Sequence, residues 1–92
     1  MRLDLFLKLS RLCPRRTVAQ KLCDAGIVLL NGRPAKSAHE VKAGDEIKIL
    51  RVDERTIARV VSVPENRNVT RREAHQLIEI VSREPLTQEF LS

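Results

Sequence analysis

Apolar side chains at Leu3, Phe6 and Leu7, with Leu9 on the flank, share one helical face and predict a helix over 3–12. Asp4, Lys8 and Arg11 fall on another face at spacings of four and three, and Leu5 lies near that polar face without an evident burial partner. Val18, Ala19, Leu22 and Cys23 repeat the helical spacing in a second segment. Pro14 suits its first turn, and Gly26 suits the left-handed position just past its end. Ile27 to Leu30 is then a short apolar run closed by Asn31-Gly32, the strongest two-residue hairpin signal.

Further along, Pro34 cannot donate to a ladder, so the return segment is an edge or only briefly paired. Gly44-Asp45 marks a second turn, after which Ile47 and Ile49 alternate with Glu46 and Lys48 as a half-buried strand. Leu50 and Val52 lie on the opposite face, which implies a bulge or burial on both sides there. Asp53-Glu54 can turn the chain into Thr56–Val63, where Ile57, Val61 and Val63 share a face. Residues 64–68 read as a linker. Thr70 and Glu73 fit a capping box, and Ala74, Leu77, Ile78 and Val81 form a helical stripe ending before Pro85, expected to lie as a lid on the sheet. The last seven residues read as a frayed tail.

Composition sharpens this picture. With two Phe and no Trp or Tyr, the core is aliphatic, and an aromatic base-stacking platform is excluded as the main mode of recognition. The net charge of +5 is concentrated: residues 1–37 carry eight basic side chains against two acidic, while residues 38–92 carry nine against ten. That is the footprint of a protein that meets a polyanion, with nucleic acid ahead of a membrane surface. Arg15 and Arg16 fall at the start of the second helix, where the dipole favours anions and cations are unfavourable by up to about 1 kcal/mol each. A placement poor for stability but suited to a phosphate points to binding, and removing both should leave the fold as stable or slightly more so. Tolerated surface arginines are the plainer reading.

Cys13 and Cys23 lack the paired spacing of a zinc site, and Cys23 falls on an apolar helical face as a small core residue. The N-terminus carries no signal or spanning pattern, so a cytoplasmic protein with reduced thiols is expected. No phosphate loop, metal cluster or nucleophile-base arrangement is visible, and His39 and His75 read as surface residues, so neither an enzyme nor a cofactor is expected.

Arg2-Leu3-Asp4, Lys8, Ser10-Arg11-Leu12, Arg15-Arg16-Thr17, Ala19, Gly26, Val28, Asn31-Gly32, Lys36, Val41, Gly44-Asp45 and Ile47 together resemble the RNA-binding domain named after small-subunit ribosomal protein four. The resemblance covers residues 2–50. It implies an α+β fold, the αL RNA-binding motif, with two N-terminal helices on a small, mostly antiparallel sheet; a C-terminal helix follows. Residues 1–63 would form the RNA-binding domain, and 64–92 a linker, helix and tail packed on or beside it. The start of the chain and the Lys-Leu-Ser-Arg-Leu…Arg-Arg-Thr run are most similar to the bacterial ribosome-associated quality-control protein P family, related to the heat-shock protein fifteen family.

That likeness implies a monomer bound to rRNA and tRNA on the large ribosomal subunit, beside a larger elongating factor, in support of C-terminal alanine tailing of stalled chains. It implies RNA-facing roles for Arg2, Asp4, Arg11, Arg15, Arg16, Thr17 and Lys36, and the basic face and hairpin add Lys8, Arg33 and Ser37. Asp4 could orient Arg11 or Arg16, or simply pair with Lys8 along the helix. A detached targeting module of an RNA-modifying enzyme and a structural ribosomal protein are the rival readings.

If about five of the eight basic residues in 1–37 each neutralise a phosphate, the slope of log affinity against log salt should be roughly −3.5 to −4.5. A salt titration of RNA binding measures it, and a slope near zero would exclude phosphate contact.

Overall fold

The computed structural model describes residues 1–85. Helix α1 spans Leu3–Leu9 and helix α2 spans Arg16–Asp24. Five strands follow: β1 (Val28–Leu30), β2 (Arg33–Pro34), β3 (Glu46–Leu50), β4 (Glu54–Val60) and β5 (Ile78–Pro85), with the short helix α3 (Arg71–His75) before the last. They form one antiparallel sheet in the order β2-β1-β3-β4-β5. This is the expected α+β architecture.

Helix α1 is shorter than its apolar spacing suggests. Ser10 is its C-cap, and Arg11 takes a left-handed φ of 65°, its N–H donating to the Lys8 carbonyl. That position usually falls to glycine, because a Cβ there crowds the following carbonyl. Arg11 therefore leaves the helix. The expected Asp4, Lys8, Arg11 face does not form either, since Asp4 is completely buried on the side where α2 packs. Leu5 is half-buried against the core and so does have a burial partner.

Pro14 precedes α2 by two residues, outside its first turn, and Arg15 is the N-cap. The other end is as expected: Gly26 adopts φ +75°, its N–H donating to Cys23 O and that of Ile27 to Leu22 O. These two bonds satisfy the last helical carbonyls. Leu3, Phe6 and Leu7 from α1, Ala19 and Cys23 from α2, and Val28, Leu30, Ile47, Ile49, Ala58 and Val60 from the sheet make a single core. Cys13 is buried with them, and burial pushes the pKa of both thiols up.

The face of β4 is offset by one residue from the expectation. Thr56 lies opposite Ile49 and Ala58 opposite Ile47, so Thr56, Ala58 and Val60 point inward while Ile57 is only half-buried and Val61 is exposed. Pairing with β3 fixes the parity, and a shift of one residue exchanges the faces. No bulge occurs at Leu50, which pairs with Arg55; Leu50 and Val52 are exposed, and the register shift falls at Ile57/Ala58 against β5.

The larger correction is C-terminal. The capping box forms as expected, with Thr70 Oγ1 accepting from Glu73 N and Glu73 Oε2 from Thr70 N, but α3 ends at His75. Ile78 and Val81 belong to β5, which pairs along the whole of β4. The run from Leu77 to Val81 is rich in β-branched residues, and the backbone groups along β4 need partners, so strand pairing overrides the helical spacing. The expected frayed tail lies outside the described residues.

The Asn31-Gly32 turn has φ of 53° and 84°, both positive, and joins Leu30 directly to Arg33. Asn31 also ties it to the next turn: its Nδ2 donates to Asp45 Oδ1 at 3.0 Å, and its Oδ1 accepts from Glu46 N at 2.9 Å. A Cβ at Gly32 would meet no atom within 4 Å, so the cost of a side chain there is backbone strain alone. Gly32→Val should lower stability by about 1–2 kcal/mol, seen as a fall of roughly 5–15 °C in thermal melting. A variant that melts like the parent would refute the turn's role.

Candidate nucleic-acid interface

The side chains that gather at the helical end of the molecule do so around one buried carboxylate. Asp4 Oδ1 accepts from the Leu5 amide at 2.8 Å and from Arg2 Nε at 3.2 Å. Oδ2 accepts from Gln20 Nε2 at 2.9 Å and Arg2 Nη2 at 3.2 Å. Arg16 Nε lies 3.3 Å from the same oxygen, off hydrogen-bond geometry, so that contact is one of charge. Burial by itself raises the Asp4 pKa; the bonds from Arg2 and Gln20, the Arg16 contact and the Leu5 amide outweigh it and hold the pKa at about 2.

Asp4 thus pairs with neither Lys8 nor Arg11, and being fully buried it does not itself face a ligand. Its effect is to aim Arg2 and Arg16, whose side chains remain 48% and 32% exposed. Two guanidiniums meet one carboxylate, so the cluster keeps a net positive charge on its open side. Arg16 is consequently not a bare cation at a positive helix end. Removing it takes a counter-charge from a buried anion, which corrects the expectation that both α2 arginines are dispensable for the fold.

The N-terminal amides of α1 are satisfied from a distance. Leu3 N donates to His39 O at 2.8 Å and Asp4 N to Ser37 O at 3.1 Å. The turn at 36–39 is thereby docked on the helix start, next to Arg2, and carries Lys36 with it as an exposed side chain. Ser37 contributes its carbonyl; its hydroxyl oxygen is buried beside Cys23, so the side chain does not face outward as expected. Arg15 and Thr17 are exposed at the start of α2. Arg33 sits on the edge strand β2 and lines a groove with Asn31 and His39. Lys8 and Arg11 stand apart from the Asp4 cluster, at the other end of α1, where they line a separate cleft.

Two residues of this region escape the sequence pattern. Gln20 lies one turn after Arg16, and that spacing could have flagged it as a second arm to the same partner. Arg51, beyond β3, donates from Nη2 to Leu12 O at 2.9 Å and braces the connection between α1 and α2; nothing in its local sequence signals this. No helix among the described residues is long and apolar enough to cross a membrane.

The chain resembles known proteins along most of its length. The S4 domain family matches residues 1–47. A protein of Halalkalibacterium halodurans named RQC P-site tRNA stabilizing factor is 40% identical over 88 residues, covering 96% of this chain and 98% of that one. Its namesake in Bacillus subtilis is 42% identical over 73 residues, covering 79% and 81%. Among solved structures, the trimeric heat shock protein 15 of Vibrio cholerae superposes with a TM-score of 0.77 at 26% identity, over 89% of this chain and 82% of that one. The solution structure of the hypothetical protein HP1423 gives the same score at 37% identity, over 91% and 100%.

Asp4→Asn tests the cluster in two ways. An amide places a donor among the donors of Arg2, Gln20 and Arg16, so stability should fall by roughly 1–3 kcal/mol and RNA binding should weaken although the net charge rises. Because the folded pKa is depressed, the carboxylate's contribution of roughly 2 kcal/mol is present above about pH 4 and is lost as pH falls towards 2. The parent's advantage over Asp4→Asn in thermal melts should therefore shrink across that window. Tighter binding by the variant would remove the orienting role.

Proposed function

The chain belongs to the S4 domain family, in the group of bacterial proteins named RQC P-site tRNA stabilizing factors, and from that premise we propose that it binds rRNA and tRNA on the large ribosomal subunit in quality control of stalled nascent chains. The observation that carries the reading is the Asp4 cluster. A buried carboxylate fixes two half-exposed guanidiniums in one direction, and guanidinium is the planar, always charged group suited to phosphate oxygens.

Arg2 and Arg16 make the central phosphate contacts, with Arg15, Thr17 and Lys36 around them and Arg33 reaching from the hairpin. Preset arginines fit a folded RNA better than a flexible strand. The deep major groove of an RNA helix is closed to side chains, which leaves backbone and shape to be recognised. The protein acts as a binding factor without chemistry of its own, as a cytoplasmic monomer that holds the tRNA while a larger partner extends the stalled chain in alanine tailing.

Sedimentation with purified large subunits tests this. The parent protein should pellet with subunits carrying a P-site tRNA in preference to empty ones. Arg2→Ala and Arg16→Ala should each weaken that binding by about tenfold or more, in line with the worth of charge-assisted bonds. Equal pelleting with empty subunits would overturn the tRNA part of the reading, and indifference to Arg16→Ala would overturn the site.

A further inference from the structure

At the far end of α1 from the Asp4 cluster lies an open cleft of about 390 Å³, in the size range of small-ligand sites. Three cations line it: Lys8 on α1, Arg11 just past its end, and Arg67 from the loop between β4 and α3. Leu9, Cys13, Pro14 and Val69 supply an apolar floor, and no acidic side chain among the described residues lines it. We propose that this cleft is a second RNA site, taking one unpaired nucleotide with its phosphate among Lys8, Arg11 and Arg67 and its base or ribose against the floor. The inference rests on the RNA-binding reading and adds to it a contact from outside residues 1–47, where the S4 match ends.

Charge is the first argument. Arg2, Arg16, Arg55, Arg59 and Arg83 each have an acidic partner among the described residues, whereas Lys8, Arg11 and Arg67 have none. Three unneutralised cations around one concavity repel one another and focus a positive potential into it, which an anion relieves.

Geometry is the second. Arg11 holds the left-handed backbone that a non-glycine residue adopts at a cost, and this conformation turns it off the helix at the cleft's rim. Arg67 is set by a tight turn: Asn68 N donates to Asn66 Oδ1 at 3.0 Å and Val69 N to Arg67 O at 3.1 Å. Val69 packs against the core and fixes that turn to the body of the protein.

The floor is the third. A site for a bare anion has no use for an apolar surface beside its cations, whereas a nucleotide presents both a charge and a flat ring or sugar. Phe6, the one Phe among the described residues, is completely buried, so within them the ring or sugar meets the aliphatic floor and not an aromatic side chain.

The test compares Arg67→Gln with Arg71→Gln, an exposed cation on α3 outside the cleft, and with Arg16→Ala, all in the full chain. Large subunits carrying P-site tRNA are the first probe. Arg67→Gln should bind them about five- to tenfold more weakly, with a salt slope shallower by a little under one unit and unchanged melting, while Arg71→Gln behaves as the parent. An equal loss in Arg71→Gln would mean a diffuse field and would overturn the site. Parent-like binding by Arg67→Gln would overturn it too; Arg16→Ala then tells whether the proposal fails alone or the RNA reading fails with it. The second probe is a single-stranded uridine pentamer, which should shift the NMR methyl signals of Leu9 and Val69 in the parent and not in Arg67→Gln. Equal shifts with inorganic phosphate at the same phosphate concentration would refute the nucleotide assignment.

Discussion

The geometry of the helical end depends on burying the charge of Asp4. A carboxylate taken out of water loses several kcal/mol of hydration, and only well-placed donors and opposite charges restore it. Here they come from three parts of the chain: Arg2 before α1, the Leu5 amide within it, and Arg16 and Gln20 on α2. The position of α2 against α1 is therefore constrained by charge as well as by apolar packing, and apolar packing alone would tolerate small rotations. Because the helices are locked in this way, so are the two guanidiniums. A flexible arginine loses rotamer freedom when it meets phosphate, whereas Arg2 and Arg16 have given up much of theirs on folding. On the proposed reading, stability and binding share one device.

A second constraint brings the hairpin to the same place. Helix α1 has no side-chain cap, and its first amides are met by the carbonyls of Ser37 and His39. That turn is reached only through β1, the Asn31-Gly32 turn and β2. Asn31 further joins the hairpin to the Lys42–Asp45 turn, where Asp45 Oδ2 accepts from Lys42 N. The edge strand β2 is only two residues long, yet it is held at both ends by these side-chain and backbone bonds. Short strands of this kind are weak by themselves and take their position from what docks beyond them.

How much of this could be read from the sequence follows from the range of each interaction. Local signals were legible: the Gly26 cap, the positive-φ pair Asn31-Gly32, the Thr70–Glu73 box and the edge role of Pro34 each depend on a few neighbouring residues. The two helices and the basic end followed from spacing and charge count. What could not be read was set by partners distant in sequence. The inward face of β4 was decided by β3, and Ile78–Pro85 became a strand because β4 offered an edge. Asp4 shows the same limit within the site. Its spacing to Lys8 and Arg11 suggested a helix-surface pair, but the packing of α2 turned it to Arg16 and Gln20. Ser37 was displaced likewise, its carbonyl being needed by α1.

The distribution of ion pairs decides where positive charge is left without a partner among the described residues. Along the β4–β5 ribbon the basic residues are neutralised across strands: Arg55 with Glu84 at 2.6 Å, Arg59 with Glu79 at 3.7 Å and, on the diagonal, Arg83 with Glu54 at 3.7 Å. Such pairs add little stability at an exposed surface, though opposite charges across strands do favour the right register. Their larger consequence is for selectivity. They remove cations from the sheet as phosphate ligands, so the excess positive charge of residues 1–37 is not diluted over the whole surface. On the reading proposed above, a polyanion is steered towards the helices and the 36–39 turn, where Asp4 has already fixed the direction of Arg2 and Arg16.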